Sequence, residues 1–348
     1  MALVGEPPED PQLTRVGPQR RLPSGGLIAM GNFRNIVYDL RAGLLTLTFA
    51  QWTYLRSQRF RYDRCVAVGD TYALFMALQV STKPIYIGTA KSVYVARYGP
   101  GERRLLRKAR SIFVRDEATA QDLRDHQVSA ESLGNVISDL YDAHDANPPL
   151  AGAPRLLLLP GSREDAYAHA VDLVQIVARL APDFREMGVI LSLAPGLHVP
   201  TLLEALAKAG IRAEHSNQDT QVPLVIPLLS PGMIYVWRGS LGAAIHRATL
   251  VFGQAGTANE AAAAAGVPIV AYDASRGEHS WYRMRQRGLL GDAVVLVRGD
   301  YDSAASQVGS LLRDGQKLAQ MSAIGRARMG SPGASHRIAL RVLEDLTT

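Results

Sequence analysis

The pattern of apolar and polar positions divides the chain into a helical entry, a short α/β segment, an irregular stretch and a longer α/β segment. From Phe33, apolar residues recur at Ile36, Val37, Leu40, Leu44 and Leu47, while Arg34, Asp39 and Arg41 fill other faces, which is the periodicity of a helix. Short apolar runs follow at 66–68, 85–87 and 112–114, each leading into turn residues or a helical stretch. Short buried strands alternating with helices point to a parallel sheet covered on both faces. Residues 142–154 (DAHDANPPLAGAP) then break all periodicity. The second half restarts it more clearly, with strands expected at 156–159, 189–193, 224–226, 250–252, 268–271 and 294–297 and helices at 166–180, 201–209 and 260–265. Residues 303–328 read as one helix, 330–333 break it, and 334–346 read as a last amphipathic helix. Residues 1–32, rich in Pro, Gly and Arg, read as irregular structure rather than an opening strand.

A chain of 348 residues is long for one core and comfortable for two. The expected organisation is an N-terminal domain over 1–145, a linker over 146–154, a second domain over 155–330 and a closing helix over 331–348. An apolar fraction of 47% with 20% charged residues excludes a disordered or collagen-like chain. The single cysteine, Cys65, excludes an intramolecular disulfide and a cysteine-rich zinc site, and its apolar setting reads as packing. The opening MALVGEPPEDPQ has no basic or apolar signal region, and no apolar run reaches the ~20 residues that span a bilayer, so a cytoplasmic protein is expected.

Net charge is +6, which raises anionic partners. Arg103, Arg104, Arg107, Lys108 and Arg110 are expected in one helix. That helix face is either simply solvated or attracted to an anionic membrane surface or phosphorylated acceptor, each basic residue near such a surface contributing roughly 1 kcal/mol. Aromatics are not interleaved with these residues, so nucleic acid is not expected as a partner. Trp52 and Tyr54, near the end of the first helical stretch, keep an interfacial reading of that helix open beside a core-facing one.

Two strand-to-helix junctions carry candidate chemistry. In open α/β sheets ligands bind beyond the carboxyl ends of the strands. At LLLLPGSRE (156–164), Gly161 lets backbone approach a ligand, Ser162 either caps the helix or donates to phosphate, and Arg163 can pair with a diphosphate. At VFGQAGTANE (251–260), small residues leave backbone amides uncovered at the positive end of a helix, which suits a diphosphate. Glu260, one turn in, either accepts from ribose hydroxyls or is simply a favourable acid in the first turn.

Together with GQAGTANEAAAAAGVPIVAYD at 253–273, RGLLGDAVVLV at 287–297 and RMGSPGASHRIA at 328–339, the first of these junctions resembles the lipid-A-disaccharide synthase-related family of GT-B glycosyltransferases over most of the chain. The resemblance implies an α/β, GT-B type fold, two Rossmann-like domains facing a cleft, with the last helix returning to the N-terminal one. Members of that family open with a strand, a glycine-rich turn and a helix, and nothing like that precedes Leu3-Val4-Gly5-Glu6, so the N-terminal domain is expected to lack its first strand-turn-helix unit, either lost or cut off by a late start. The resemblance also implies a nucleotide-sugar donor, expected to be a UDP-sugar, on the C-terminal domain. Gly161, Ser162 and Arg163 then look like the phosphate-side loop, Gly256, Thr257 and Ala258 like the diphosphate turn, Glu260 like the ribose acceptor, and Trp237 opens a loop near base and sugar. Asp70, after the strand at 66–68, stands where relatives carry an acid, and is either the base for an acceptor hydroxyl or a strand-end cap.

The expected activity is glycosyl transfer from the nucleotide-sugar to a lipid or lipid-linked acceptor at an anionic membrane surface, independent of metal and without a cofactor, the nucleotide-sugar serving as co-substrate. A polar stretch, Arg276 to His279, is a further candidate for touching the sugar. Two alternatives share the donor loops: a UDP-sugar 2-epimerase, and a nucleotide-sugar-binding remnant without turnover.

Overall fold

The computed structural model describes residues 14, 16–20, 33–140, 147–163, 165–216, 220–228, 232–273, 279–330 and 332–347, without the side chains of 33–36, 279–282 and 345–347. Two units form: residues 1–93, 97–132 and 340–348 in one, 94–96 and 133–339 in the other.

In the first unit, β1 (Val66–Gly69), β2 (Ile85–Gly88) and β3 (Ile112–Val114) pair in parallel in that order. Helices α3 (Thr71–Ala77), α4 (Pro100–Leu106) and α5 (Glu117–Asp125) connect or follow them. Ala67, Leu74, Tyr86, Leu106, Val114 and Leu123 make the core. The helical stretch from Phe33 is two helices, α1 (Phe33–Arg41) and α2 (Leu44–Ser57). Gly43 breaks it at φ +92, a conformation glycine adopts without strain. The basic cluster also differs from expectation. Helix α4 ends at Leu106, Arg107 caps it, and Lys108 and Arg110 lie beyond, because the amide of Arg110 already bonds the carbonyl of Pro84 on the approach to β3.

The second unit is built on a sheet of order β11-β10-β9-β4-β5-β8-β7-β6. Its strands are β4 (Arg155–Leu159), β5 (Gly188–Ser192), β6 (Glu214–His215), β7 (Leu224–Pro227), β8 (Met233–Trp237), β9 (Leu250–Gly253), β10 (Ile269–Asp273) and β11 (Val294–Arg298). Its helices are α6 (Ala166–Leu180), α7 (Val199–Lys208), α8 (Leu241–Arg247), α9 (Thr257–Ala264), α10 (His279–Leu290), α11 (Tyr301–Arg313), α12 (Gly315–Met329) and the start of α13 (Ala334–Thr347). Six of the strands are parallel; β7 and β6 turn back antiparallel at one edge. Strand β8 carried no sequence expectation. Residues 303–328, expected as one helix, divide at Asp314, whose carboxylate accepts the Lys317 amide and caps α12.

The alternation along β4 sorts the two layers. Leu156 and Leu158 pack with α6, α7 and α11 on one face, Leu157 and Leu159 with α8 and α9 on the other. Ala261, Ala262, Ala263 and Ala264 are all buried. Their small side chains let α12 come close to α9: a Cβ on Gly325 would lie 2.7 Å from the Ala263 carbonyl oxygen. Among the described residues no helix is long and apolar enough to cross a membrane.

Gly325→Ala would therefore push α12 off α9. It should cost about 1–3 kcal/mol and lower the unfolding midpoint in calorimetry by several degrees; an unchanged midpoint would mean the helices do not approach this closely.

Candidate functional site

From β4 the chain moves through β5 to β8 on one side of the sheet, and only with β9 does it cross to the other side of β4. That reversal places the topological switch point between β4 and β9, where open α/β sheets leave a crevice beyond the strand ends. The two strands end in register, Leu159 beside Gly253, and the Gln254 amide donates to the Leu159 carbonyl at 2.7 Å. The structure thus brings both candidate turns to one edge of one sheet.

On the β4 side, Gly161 takes φ +116, which its lack of a side chain permits. The carbonyl of Pro160 is in hydrogen-bond contact with His169 Nδ1 at 3.0 Å, which ties the turn to α6. The cap position of α6 is Asp165, so Ser162 is not its cap. Ser162 and Arg163 are exposed, and among the described residues neither side chain is engaged in a hydrogen bond or ion pair.

On the β9 side, α9 starts at Thr257, a turn earlier than the pattern predicted, with Gly256 at the cap position and no side chain capping it. The first amides of a helix have no partner within it. What fixes their direction is a group of buried side chains behind the turn. Gln286 Nε2 donates to the carbonyls of Ala255 (2.9 Å) and Gly256 (3.1 Å), and Asn259 Nδ2 donates to the Gly253 carbonyl (3.1 Å) and to Gln286 Oε1 (3.0 Å). In a trans peptide the N–H points opposite to the C=O it shares a plane with. The carbonyls of Ala255 and Gly256 face Gln286, so the amides of Gly256 and Thr257 face away from it. Asn259 is 0% exposed, and a Cβ on Gly253 would lie 1.9 Å from its Oδ1, so only glycine fits there.

This network continues sideways. Gln254 Nε2 donates to the Tyr272 carbonyl (2.7 Å), Arg283 Nε donates to Gln254 Oε1 (3.1 Å), and Asp273 pairs with Arg283 (3.3 Å) and Arg298 (3.1 Å). Burial lowers the pKa of the Arg283 guanidinium, and Asp273 opposes that shift. Gln254, Asn259 and Asp273 fall inside the 253–273 motif but carried no role of their own, and Arg283 and Gln286 had no signal, since the partners that give them one are distant along the chain. Thr257 is exposed, and Ala258 and Glu260 are half-buried in the same first turn and the residue after it. Trp237 lies elsewhere, at the end of β8. It is 1% exposed, its indole N–H donates to the Ser240 carbonyl at 3.1 Å, and its ring lies where a Cβ on Gly239 would go. Residues 276–278 and the His279 side chain lie outside the described residues.

In the first unit, Asp70 follows β1 and caps α3, its Oδ1 accepting the amides of Tyr72 (3.0 Å) and Ala73 (3.2 Å). Among the described residues Oδ2 has no donor. The preceding carbonyl, Gly69, accepts from the Tyr86 hydroxyl at 3.1 Å, and Tyr98 reaches that hydroxyl at 3.5 Å. Burial pushes Tyr98 up to about 12, and burial and the Tyr98 neighbour raise Tyr86 further, so both phenols stay neutral. Thr71 and Lys91 both donate to Glu102, at 3.0 and 2.7 Å. Burial raises Glu102, but those bonds and the Gly99 amide outweigh it and leave it below its ordinary range.

No family description and no curated protein matches the sequence. Solved structures do. A UDP-GlcNAc 2-epimerase from Neisseria meningitidis bound to UDP-GlcNAc matches at a TM-score of 0.54 and 14% identity, over 87% of this chain and 82% of that one. S. aureus MnaA, solved with UDP, matches at 0.57 and 15%, over 87% and 82%. CalG4, the calicheamicin glycosyltransferase, matches at 0.58 and 13%, over 94% and 85%. These likenesses show the fold, which is the GT-B type with two Rossmann-like domains.

Gln286→Leu keeps the side-chain volume and strips the donors from two turn carbonyls. It should destabilise the chain by about 1–3 kcal/mol in urea unfolding; a loss under about 0.5 kcal/mol would show that the turn does not depend on Gln286.

Proposed function

We propose that this protein acts on a nucleotide-sugar, a UDP-sugar, and transfers the sugar to a lipid-linked acceptor. The observation that supports it most is the pairing of two turns at the switch point, one with outward amides and one with an exposed arginine whose side chain no described residue engages. A diphosphate bound between them would meet the N–H groups of Gly256 and Thr257 at the positive end of α9, and Arg163 and Ser162 from the other turn. Glu260 would accept from the ribose hydroxyls. Trp237 is held in the core, so any contact near the base from that loop would come from the backbone of Arg238 to Ser240.

In this reading the sugar–phosphate bond breaks as the acceptor oxygen attacks. Charge then develops on the departing diphosphate, and the fixed amides and Arg163 stabilise it without reorganising. Asp70 would take the acceptor proton through Oδ2, the oxygen not used for capping. The motifs shared with the lipid-A-disaccharide synthase-related family favour a lipid-linked acceptor. The second reading, a UDP-sugar 2-epimerase, is favoured by the two-domain likeness to the Neisseria enzyme. The two differ in product. Transfer releases UDP only when an acceptor is supplied, while epimerisation converts the sugar with none present.

The site is tested by titrating UDP calorimetrically. Arg163→Ala and Glu260→Ala should each weaken binding by about tenfold to a hundredfold, the loss of one charge-assisted contact; affinities equal to wild type would remove the residue from the site. The reaction is tested with UDP-GlcNAc, with and without lipid extract. UDP release that requires extract, and is abolished by Asp70→Asn while UDP still binds, is the expected result. Conversion without acceptor would replace transfer by epimerisation.

A further inference from the structure

Helix α2 is apolar on two faces. Leu47 and Gln51 are buried on one, and the Gln51 amide donates to the Pro18 carbonyl. On the other, Leu45, Phe49, Trp52 and Arg56 recur at intervals of four, three and four residues and form a single stripe. Leu45 is 70% exposed and Phe49 66%. The Phe49 and Trp52 rings stack at 6.0 Å, and the Arg56 guanidinium lies 5.0 Å over the Trp52 ring.

The loop after α2 carries the same chemistry further. Phe60 is 76% exposed and holds φ +64, a left-handed conformation that strains a bulky residue. Its amide is anchored to the Val80 carbonyl, Arg59 stacks on its ring at 4.9 Å, and Tyr62 beside it is exposed. Among the described residues, Arg56, Arg59 and Arg61 have no carboxylate partner. The backbone thus holds Phe60 out in water in a sparsely populated conformation, with the Arg59 guanidinium over its ring and Arg61 donating to the Gln58 side chain nearby.

We propose that the Leu45–Phe49–Trp52 stripe and the Phe60 loop dock the protein on an anionic lipid bilayer. Aromatic rings settle at headgroup depth, where stacked guanidinium groups reach lipid phosphates. A protein partner fits less well. The stripe is one helix face about 16 Å long, small against the ~800 Å² per partner of a stable interface. The inference extends the proposed lipid-linked acceptor, yet it stands on the first unit's surface alone, so the two can fail separately.

The test is co-sedimentation of the full chain with phosphatidylcholine vesicles, with and without phosphatidylglycerol, alongside light scattering without lipid. Wild type should pellet with the anionic vesicles and bind neutral ones weakly. Phe49→Ser with Phe60→Ser should reduce binding about tenfold or more, and Arg56→Gln with Arg59→Gln and Arg61→Gln about a hundredfold with loss of salt dependence. Should the serine variant fold poorly, Phe60→Gly removes the ring while relieving the backbone, and should still weaken binding. All variants should keep wild-type UDP affinity. Equal binding to both vesicle types, undiminished binding by the variants, or a lipid-free dimer that these substitutions abolish would each overturn the proposal. Vesicle binding without UDP binding would keep the docking surface and sink the nucleotide reading.

Discussion

The in-register ending of β4 and β9 is the constraint on which the site depends. Parallel strands added in one direction keep their helices on one face, as α6 and α7 do here, and only at the reversal do two neighbouring strands send helices to opposite faces and leave a gap between their loops. Here Leu159 and Gly253 end together, and the Gln254 amide closes one more bond onto β4. Everything that follows on either side starts from that shared edge.

Packing then decides what the edge presents. The alanines of α9 allow α12 to approach closely, and this seats α9 with its first turn at the strand ends. Gly253 leaves room for Asn259, Asn259 holds Gln286, and Gln286 claims two carbonyls of the turn. Among the described residues Asn259 Oδ1 is buried without a hydrogen-bond partner, a cost of about 1–3 kcal/mol that stands against the four bonds donated by Asn259 Nδ2 and Gln286 Nε2. The result is a rigid turn whose amides face outward, a fixed partial positive charge that needs no side chain to make it.

Much of this was legible in the chain. Strands such as 112–114 and 156–159 are short apolar runs between turn residues, and they form where expected. Gly161, Arg163, Gly256 and Thr257 could be singled out because strand, glycine and helix follow one another locally. Strand β8 escaped because Met233–Trp237 is the return arm of an antiparallel pair with β7 at the sheet edge, outside the β-helix-β rhythm. The 303–328 helix was over-extended because Asp314 ends one helix and caps the next without interrupting the apolar spacing. The pairing of Asn259 with Gln286 could not be found at all. They are 27 residues apart, and only the tertiary fold makes them partners.

The most direct measurement is a crystal structure of the chain with UDP. The account predicts the diphosphate at the β4–β9 edge, with phosphate oxygens about 3 Å from the amide nitrogens of Gly256 and Thr257 and from the Arg163 guanidinium. A nucleotide bound anywhere else, with that turn in its present conformation and empty, would contradict it.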